Sequence, residues 1–245
     1  MFQTFLALAP IFVLIAIGWA AKQYWLCEDG LWRPIERLAY FLLIPALVIH
    51  DLYNADLQSL PFARMTIALL GAVLIVAAVM LVLRPVLSWF LVQNDAGFTS
   101  VFQGSIRANF FITLAAAPIL LPADGAALVI IAVAFFTVLA NVLSVLVLAR
   151  WGTQGDAALG TLAKRLTTNP FVAATLLGLA INLSGLPVPQ AIDSSFAMLA
   201  GAGVPLALVT AGAGLRIASI GVHLPGILVA SAAKLIAMPV IAVGL

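Results

Sequence analysis

Residues 103–122 read QGSIRANFFITLAAAPILLP. The stretch is apolar enough to enter a bilayer, yet Arg107 and Asn109 stand near its start and Pro118 near its end. A guanidinium at the bilayer centre costs roughly 2.5–3.5 kcal/mol even on the gentlest scale. A proline inside a helix removes one backbone hydrogen bond and clashes with the preceding turn. A passive anchor avoids both costs. A helix that breaks in mid-membrane and faces a polar cavity uses both, because irregular backbone at that depth is tolerated only where it lines protein or water. The residues leave a second reading open, an ordinary helix start with Arg107 snorkelling to the surface.

The rest of the chain agrees with a membrane setting. Of its 245 residues 64% are hydrophobic and 8% charged, with a mean hydropathy of +1.21. Soluble domains carry about 25% charged residues, so the fold class is all-α, a polytopic helical membrane protein. A net charge of +2 without a basic run excludes nucleic acid as a partner. The single cysteine, Cys27, excludes an internal disulfide and a cysteine metal site. His50 and His223 lie far apart with no ligand spacing around them. Neither a metal nor a cofactor is expected.

Eight spans can be drawn. Phe2–Ala21 is the first, retained rather than cleaved, since Met1–Thr4 holds no Lys or Arg for a signal-peptide n-region. Lys22–Arg37 reads as a polar connection, Leu38–Tyr53 as span 2 with Pro45 inside it, and Asn54–Pro61 as a loop. The uncharged run between Arg64 and Arg84 is span 3, close to the ~20 residues needed to cross the hydrocarbon. Pro85–Gly97 connects it to span 4, the opening stretch, and Ala126–Ala149 is span 5. A polar connection, Arg150–Thr168, precedes span 6 from Asn169-Pro170 to Leu183. Span 7 runs from about Ile192 to Leu215, and span 8 from near His223 to Leu245 with Lys234 in its middle.

Basic residues set the expected orientation. The odd-numbered loops hold Lys22, Arg33, Arg37, Arg84, Arg150, Lys164, Arg165 and Arg216, and the even-numbered loops Arg64 alone. The positive-inside rule then puts the odd loops in the cytoplasm and the N-terminus outside a cell inner (plasma) membrane.

An offset of 160 residues maps Pro10 onto Pro170, Gly18 onto Gly178 and Pro45 onto Pro205. Five spans, an odd number, precede the second copy, so it enters the membrane inverted. Inverted repeats with broken helices are an architecture of secondary transporters. The expected organisation is a first five-span repeat at 1–149, a cytoplasmic connecting loop at 150–168 and a partial second repeat at 169–245. Moved by the same offset, residues 98–149 fall at roughly 258–309, past Leu245, so the second proline-broken crossover is expected to be missing.

The stretches LALAPIFVLIAIGWAAK, RLAYFLLIPALVIHDL, IRANFFITLAAAPILL and NVLSVLVLAR resemble the auxin efflux carrier family, in its branch of bacterial permeases. VPLALVTAGAGL and AAKLIAMPVIAVGL fit the same family, and the resemblance extends through eight of its usual ten spans. It implies export of anionic metabolites, malate, malonate and similar acids in bacteria or auxin in plants. It also implies a site where two proline-broken crossover helices meet, with Arg107, Asn109 and Pro118 on the first. Ala115–Ala117 stand where many members have glycine.

Arg107 is the candidate for pairing with a substrate carboxylate through its planar fork; the alternative is a structural pair. Asn109 offers a donor and an acceptor to freed backbone or to a ligand. Lys234 is the second intramembrane cation, a candidate substrate group or half of an ion pair with Asp51 or Asp56. Either of those acids could relay protons. Pro45, Pro118 and Pro205 read as helix breaks or kinks. Asn141, Ser144 and Thr210 read as interhelical hydrogen bonds worth roughly 0.6 kcal/mol each. Gly201, Gly203, Gly212 and Gly214 read as points of close helix approach, and His50 as an end-of-helix polar residue.

The residues together with what the resemblance implies lead to the expectation of a secondary carrier exporting small organic anions. An intramembrane enzyme is not expected, because no Ser/His pair, membrane aspartate pair or His/Glu metal set is visible. A non-transporting remnant or membrane sensor is the competing reading. Expected partners are a small organic anion and the lipid bilayer, with protons and a homodimeric second copy left open.

Overall fold

The computed structural model describes residues 2–55, 62–90, 95–152, 169–215 and 224–245, and among these every regular element is helical. Helix α1 is Phe2–Tyr24 and α2 is Asp29–Leu38. A π turn, Ala39–Leu43, carries the chain directly into α3, Ile44–Tyr53. Then come α4 (Phe62–Val82), α5 (Arg84–Phe90), α6 (Asp95–Ile106), α7 (Phe110–Leu120) and α8 (Ala123–Trp151). Helices α9 (Pro170–Ser184), α10 (Gln190–Ala213) and α11 (Leu224–Ala232) follow. A second π turn, Ala233–Ala237, leads into α12, Met238–Gly244.

Among the described residues, five stretches are long and apolar enough to cross a membrane: Leu6–Tyr24, Arg64–Val82, Gly125–Trp151, Gln190–Ala213 and Leu224–Gly244. Of the other expected spans, span 2 is divided by its π turn, span 4 is split between α6 and α7, and span 6 is the 15-residue α9. The chain is an all-α polytopic membrane protein. Helix α9 has clear boundaries. Asn169 caps its first turn, its Oδ1 accepting from Phe171 N at 3.0 Å and Val172 N at 3.4 Å, with Pro170 in the first turn where no N–H is needed. Gly185, at φ 64°, ends it in the left-handed conformation that glycine adopts without penalty.

Two expectations change. Lys22–Arg37 is not all connection, because α2 occupies most of it. Arg33, Glu36 and Arg37 are exposed while Trp32 and Ile35 are half-buried, and this one-sided polarity reads as a loop when only the charges are counted. Pro205 does not break its span, since α10 runs unbroken through it. The residue four back, whose turn the ring crowds, is Gly201, with open space around it. Pro45 does mark an irregularity. Ile44 N–H reaches back five residues to Ala39 O, and this widened turn precedes the proline. The same device stands before Pro239, where Met238 N–H reaches Ala233 O.

The chain forms two compact units, each drawing on both halves of the sequence: residues 1–60, 109–131 and 169–215, and residues 61–108, 132–168 and 216–245. In the first, α1 packs most extensively on α10, α3 on α9, and α3 on α10. Lipid tails are as apolar as leucine, so such contacts rest on close van der Waals fit and small residues rather than on escape from water. A Cβ on Gly18 would lie 2.9 Å from Val209 Cα, and one on Gly178 would lie 3.2 Å from Ile49 Cα. These two contacts exchange under the 160-residue offset, which carries Gly18 to Gly178 and Ile49 to Val209. The contact of Gly203 with the Leu43 carbonyl, 3.2 Å from a built Cβ, maps onto itself.

In the second unit, Phe98, Phe102 and Ile106 line one face of α6 and are fully buried. They share a core with Ala72, Val73 and Val76 of α4 and Phe136 and Ala140 of α8. Trp151 meets Phe98 edge-on at 5.9 Å. The Arg84 guanidinium lies 4.8 Å from the Trp151 ring centroid and donates to Asp95 Oδ1 at 2.6 Å.

Candidate functional site

The break in span 4 falls at Arg107–Asn109, nine to eleven residues before the proline that draws the eye. Arg107 N–H still bonds to Gln103 O at 2.9 Å, the end of the α6 ladder. Asn109 is extended (φ −85°, ψ 91°) and starts α7, its Oδ1 accepting from Ile112 N at 3.4 Å. Thr113 Oγ1 donates to the Asn109 carbonyl at 3.1 Å. A capping asparagine supplies an acceptor for donors that a new helix start leaves unpaired, so the sequence RAN both ends one half-helix and starts the next. Pro118 lies in the last turn of α7, where only Ile119 and Leu120 follow it within the helix.

The second unit holds the cations. Arg107 Nη2 donates to Asn141 Oδ1 of α8 at 2.8 Å, while the residue remains exposed. Thr137, Asn141 and Ser144 follow helical spacing along one side of α8, and the buried Ser144 Oγ has no hydrogen-bond partner among the described residues. Lys234 sits on the second π turn, which packs against α6, the half-helix that leads to Arg107. The acid among the described residues of this unit is Asp95, and it is held by Arg84. Two basic groups on membrane-spanning segments thus have no carboxylate partner among those residues.

The first unit holds the acids. Asp51, on the last turn of α3, pairs with His50 (Nδ1 to Oδ1, 3.2 Å). Asp56 lies outside the described residues. Asp51 and Pro118 are brought together on one cavity of about 230 Å³, whose other walls are apolar and include Pro10, Leu47, Leu114 and Leu208. A second cavity, about 490 Å³, is lined by Tyr53, Asn182, Gln190 and Asp193. Three groups here, Tyr53, Asn182 and Asp193, were not singled out from sequence. Tyr53 donates to Asp193 Oδ1. His50 Nε2 lies 3.6 Å from the same oxygen. Asn182 Nδ2 donates to the carbonyls of Leu52 (3.0 Å), Tyr53 (3.1 Å) and Ala55 (2.7 Å), at and just past the end of α3. The adjacent His50-Asp51 pair in an apolar span was the available signal. Asp193 is disguised because an acid in a helix's first turn is ordinary.

Discontinuous membrane helices are a feature of many secondary transporter folds. The sequence profile of a family described as membrane transport protein matches residues 3–245. The chain belongs to that family. These membrane transport proteins are auxin efflux carrier-like and are transporters, not a family of enzymes. Among curated proteins no match was found.

Proposed function

We propose that this transporter exports small organic anions, malate- or malonate-like carboxylates or auxin-like acids, across the cell inner membrane. The observation that carries the reading is Arg107 at the helix break, in a unit whose second intramembrane cation, Lys234, also has no acid partner among the described residues. An intramembrane charge is costly, and a carboxylate substrate that pairs with it offsets that cost. Arginine's fork suits a carboxylate in particular. An inside-negative potential drives each negative charge outward with roughly 2.3 kcal/mol per 100 mV, so export needs no further energy source.

The proposed topology places the N-terminus outside and residues 150–168 in the cytoplasm. Residues 1–149 and 169–245 are read as a first and a partial second copy of an inverted repeat, a reading that the exchanged glycine contacts support. The test is counterflow in vesicles containing the purified chain and loaded with unlabelled malonate. Labelled malonate is expected to accumulate transiently, and indole-3-acetate outside to compete if auxin-like acids share the site. Binding of both acids without flux of either would remove the transport reading in favour of a sensor.

A further inference from the structure

We propose that His50, held between Asp51 and Asp193, is a proton-binding relay joining the two cavities of the first unit, which makes the proton a second ligand of this transporter. The carboxylate-export reading enters only in naming the substrate to which that proton is coupled. Asp51 is the charged group on the wall of the apolar cavity, and Asp193 and Tyr53 line the polar one. The imidazole between them turns one nitrogen to each acid, Nδ1 to Asp51 at 3.2 Å and Nε2 to Asp193 at 3.6 Å. All three side chains are partly accessible, 24% for His50, 38% for Asp51 and 42% for Asp193, so a proton can reach either end.

The step balances with these groups alone. Asp193, protonated from the polar cavity, gives its proton to Nε2 of a neutral imidazole that carries hydrogen on Nδ1. The imidazolium then passes the Nδ1 proton to Asp51, at the apolar cavity. His50 is again neutral, now with hydrogen on Nε2, and the cycle resets when the ring turns about Cβ–Cγ, so that Nε2 releases its proton and Nδ1 takes one up on the same, polar-cavity side. Tyr53 donates its hydroxyl to Asp193 and holds that carboxylate in place. Histidine suits this task because its charge changes near physiological pH, and chains of Asp, Glu and His are the usual intramembrane proton path.

No other charged side chain faces His50 among the described residues of the elements packed on α3. Helix α9 brings the neutral Asn182, α10 brings Asp193, and on the first π turn Tyr40 directs its hydroxyl to Asn169 instead. Packing alone does not call for ionisable groups here. The 160-residue offset maps His50, Asp51 and Tyr53 onto Thr210, Ala211 and Ala213, and those positions serve the matching place on α10 without a titratable side chain.

The competing account is a hydrogen-bond clamp that merely pins α3 to α10. Infrared difference spectroscopy of the purified chain in lipid, on acidification, separates the two without any substrate. A protonated-carboxyl C=O band should appear, vanish in Asp51→Asn, and shift in both His50→Gln and Asp193→Asn, because the titration of coupled groups belongs to the set rather than to one residue. An Asp51 band unchanged in both of those variants overturns the relay; if His50→Gln is not monodisperse, Asp193→Asn decides. In vesicles holding a pH dye, His50→Gln should keep malonate exchange and lose the proton movement that accompanies net malonate flux. Proton movement equal to wild type in His50→Gln also overturns it. A shifted band in a protein that exchanges no malonate supports the relay and removes the malonate reading instead.

Discussion

Arg107→Gln separates a substrate-binding guanidinium from a structural one. The Arg107 Nη2 contact with Asn141 Oδ1, at 2.8 Å, uses one donor of the fork, and the residue is otherwise exposed, so further donors remain for a carboxylate. A charge-assisted hydrogen bond contributes about 1.5–3 kcal/mol, which at about 1.4 kcal/mol per decade is a loss of roughly 10- to 150-fold in malonate affinity. Glutamine retains an amide donor for Asn141, so folding should survive, and membrane insertion should improve because a costly charge is gone. Arg107→Lys should fall between, since an ammonium keeps the charge without the planar fork. Asn141→Leu is the counter-control: it removes the acceptor, and malonate affinity should change far less than in Arg107→Gln. The assay is the malonate-dependent rise in thermal midpoint of the purified protein, which reports affinity through mass action, measured beside expression level. If Arg107→Gln folds well and keeps the wild-type malonate shift, the guanidinium is structural and its role in binding is refuted. Equal loss of stability in Arg107→Gln and Asn141→Leu would likewise assign Arg107 a structural role.

Three further outcomes follow from the geometry. Gly18→Ala puts a methyl 2.7 Å from the Val209 carbonyl carbon, a backbone atom that cannot step aside, and should cost about 1–3 kcal/mol of stability in thermal unfolding. Gly201→Ala meets open space and should be neutral or stabilising by up to about 1 kcal/mol; equal destabilisation of the two would contradict the packing of α1 on α10. Asn109→Ala should cost about 0.5–2 kcal/mol through the lost cap while Asn109→Ser keeps most of it, which thermal midpoints of the two variants check. Cys27 is exposed, so in the proposed topology a membrane-impermeant maleimide should label it only after cells are permeabilised; labelling in intact cells reverses the orientation.

Although the short helices α2 and α5 fall in stretches that read as connections, the membrane class, the long apolar spans and the presence of a break in span 4 were legible in residue types alone. These are consequences of local chemistry: run length against bilayer thickness, a charge inside an apolar run, and a capping Asn169 before Pro170. The site of the break was harder to read. Pro118 is the conspicuous breaker, yet in the last turn it disturbs little, and Asn109 restarts the backbone nine residues earlier. The His50–Asp193 contact could not be read locally, since its partners stand 143 positions apart in the chain. Its absence from the sequence pattern has a physical cause. In a soluble helix the buried face announces itself by polarity, whereas here lipid-facing and protein-facing sides are both apolar, and helix association rests on close fit. Which side of α3 meets α10, and so which acid meets His50, was decided by tertiary packing around glycines such as Gly18, Gly178 and Gly203, where backbone approaches backbone.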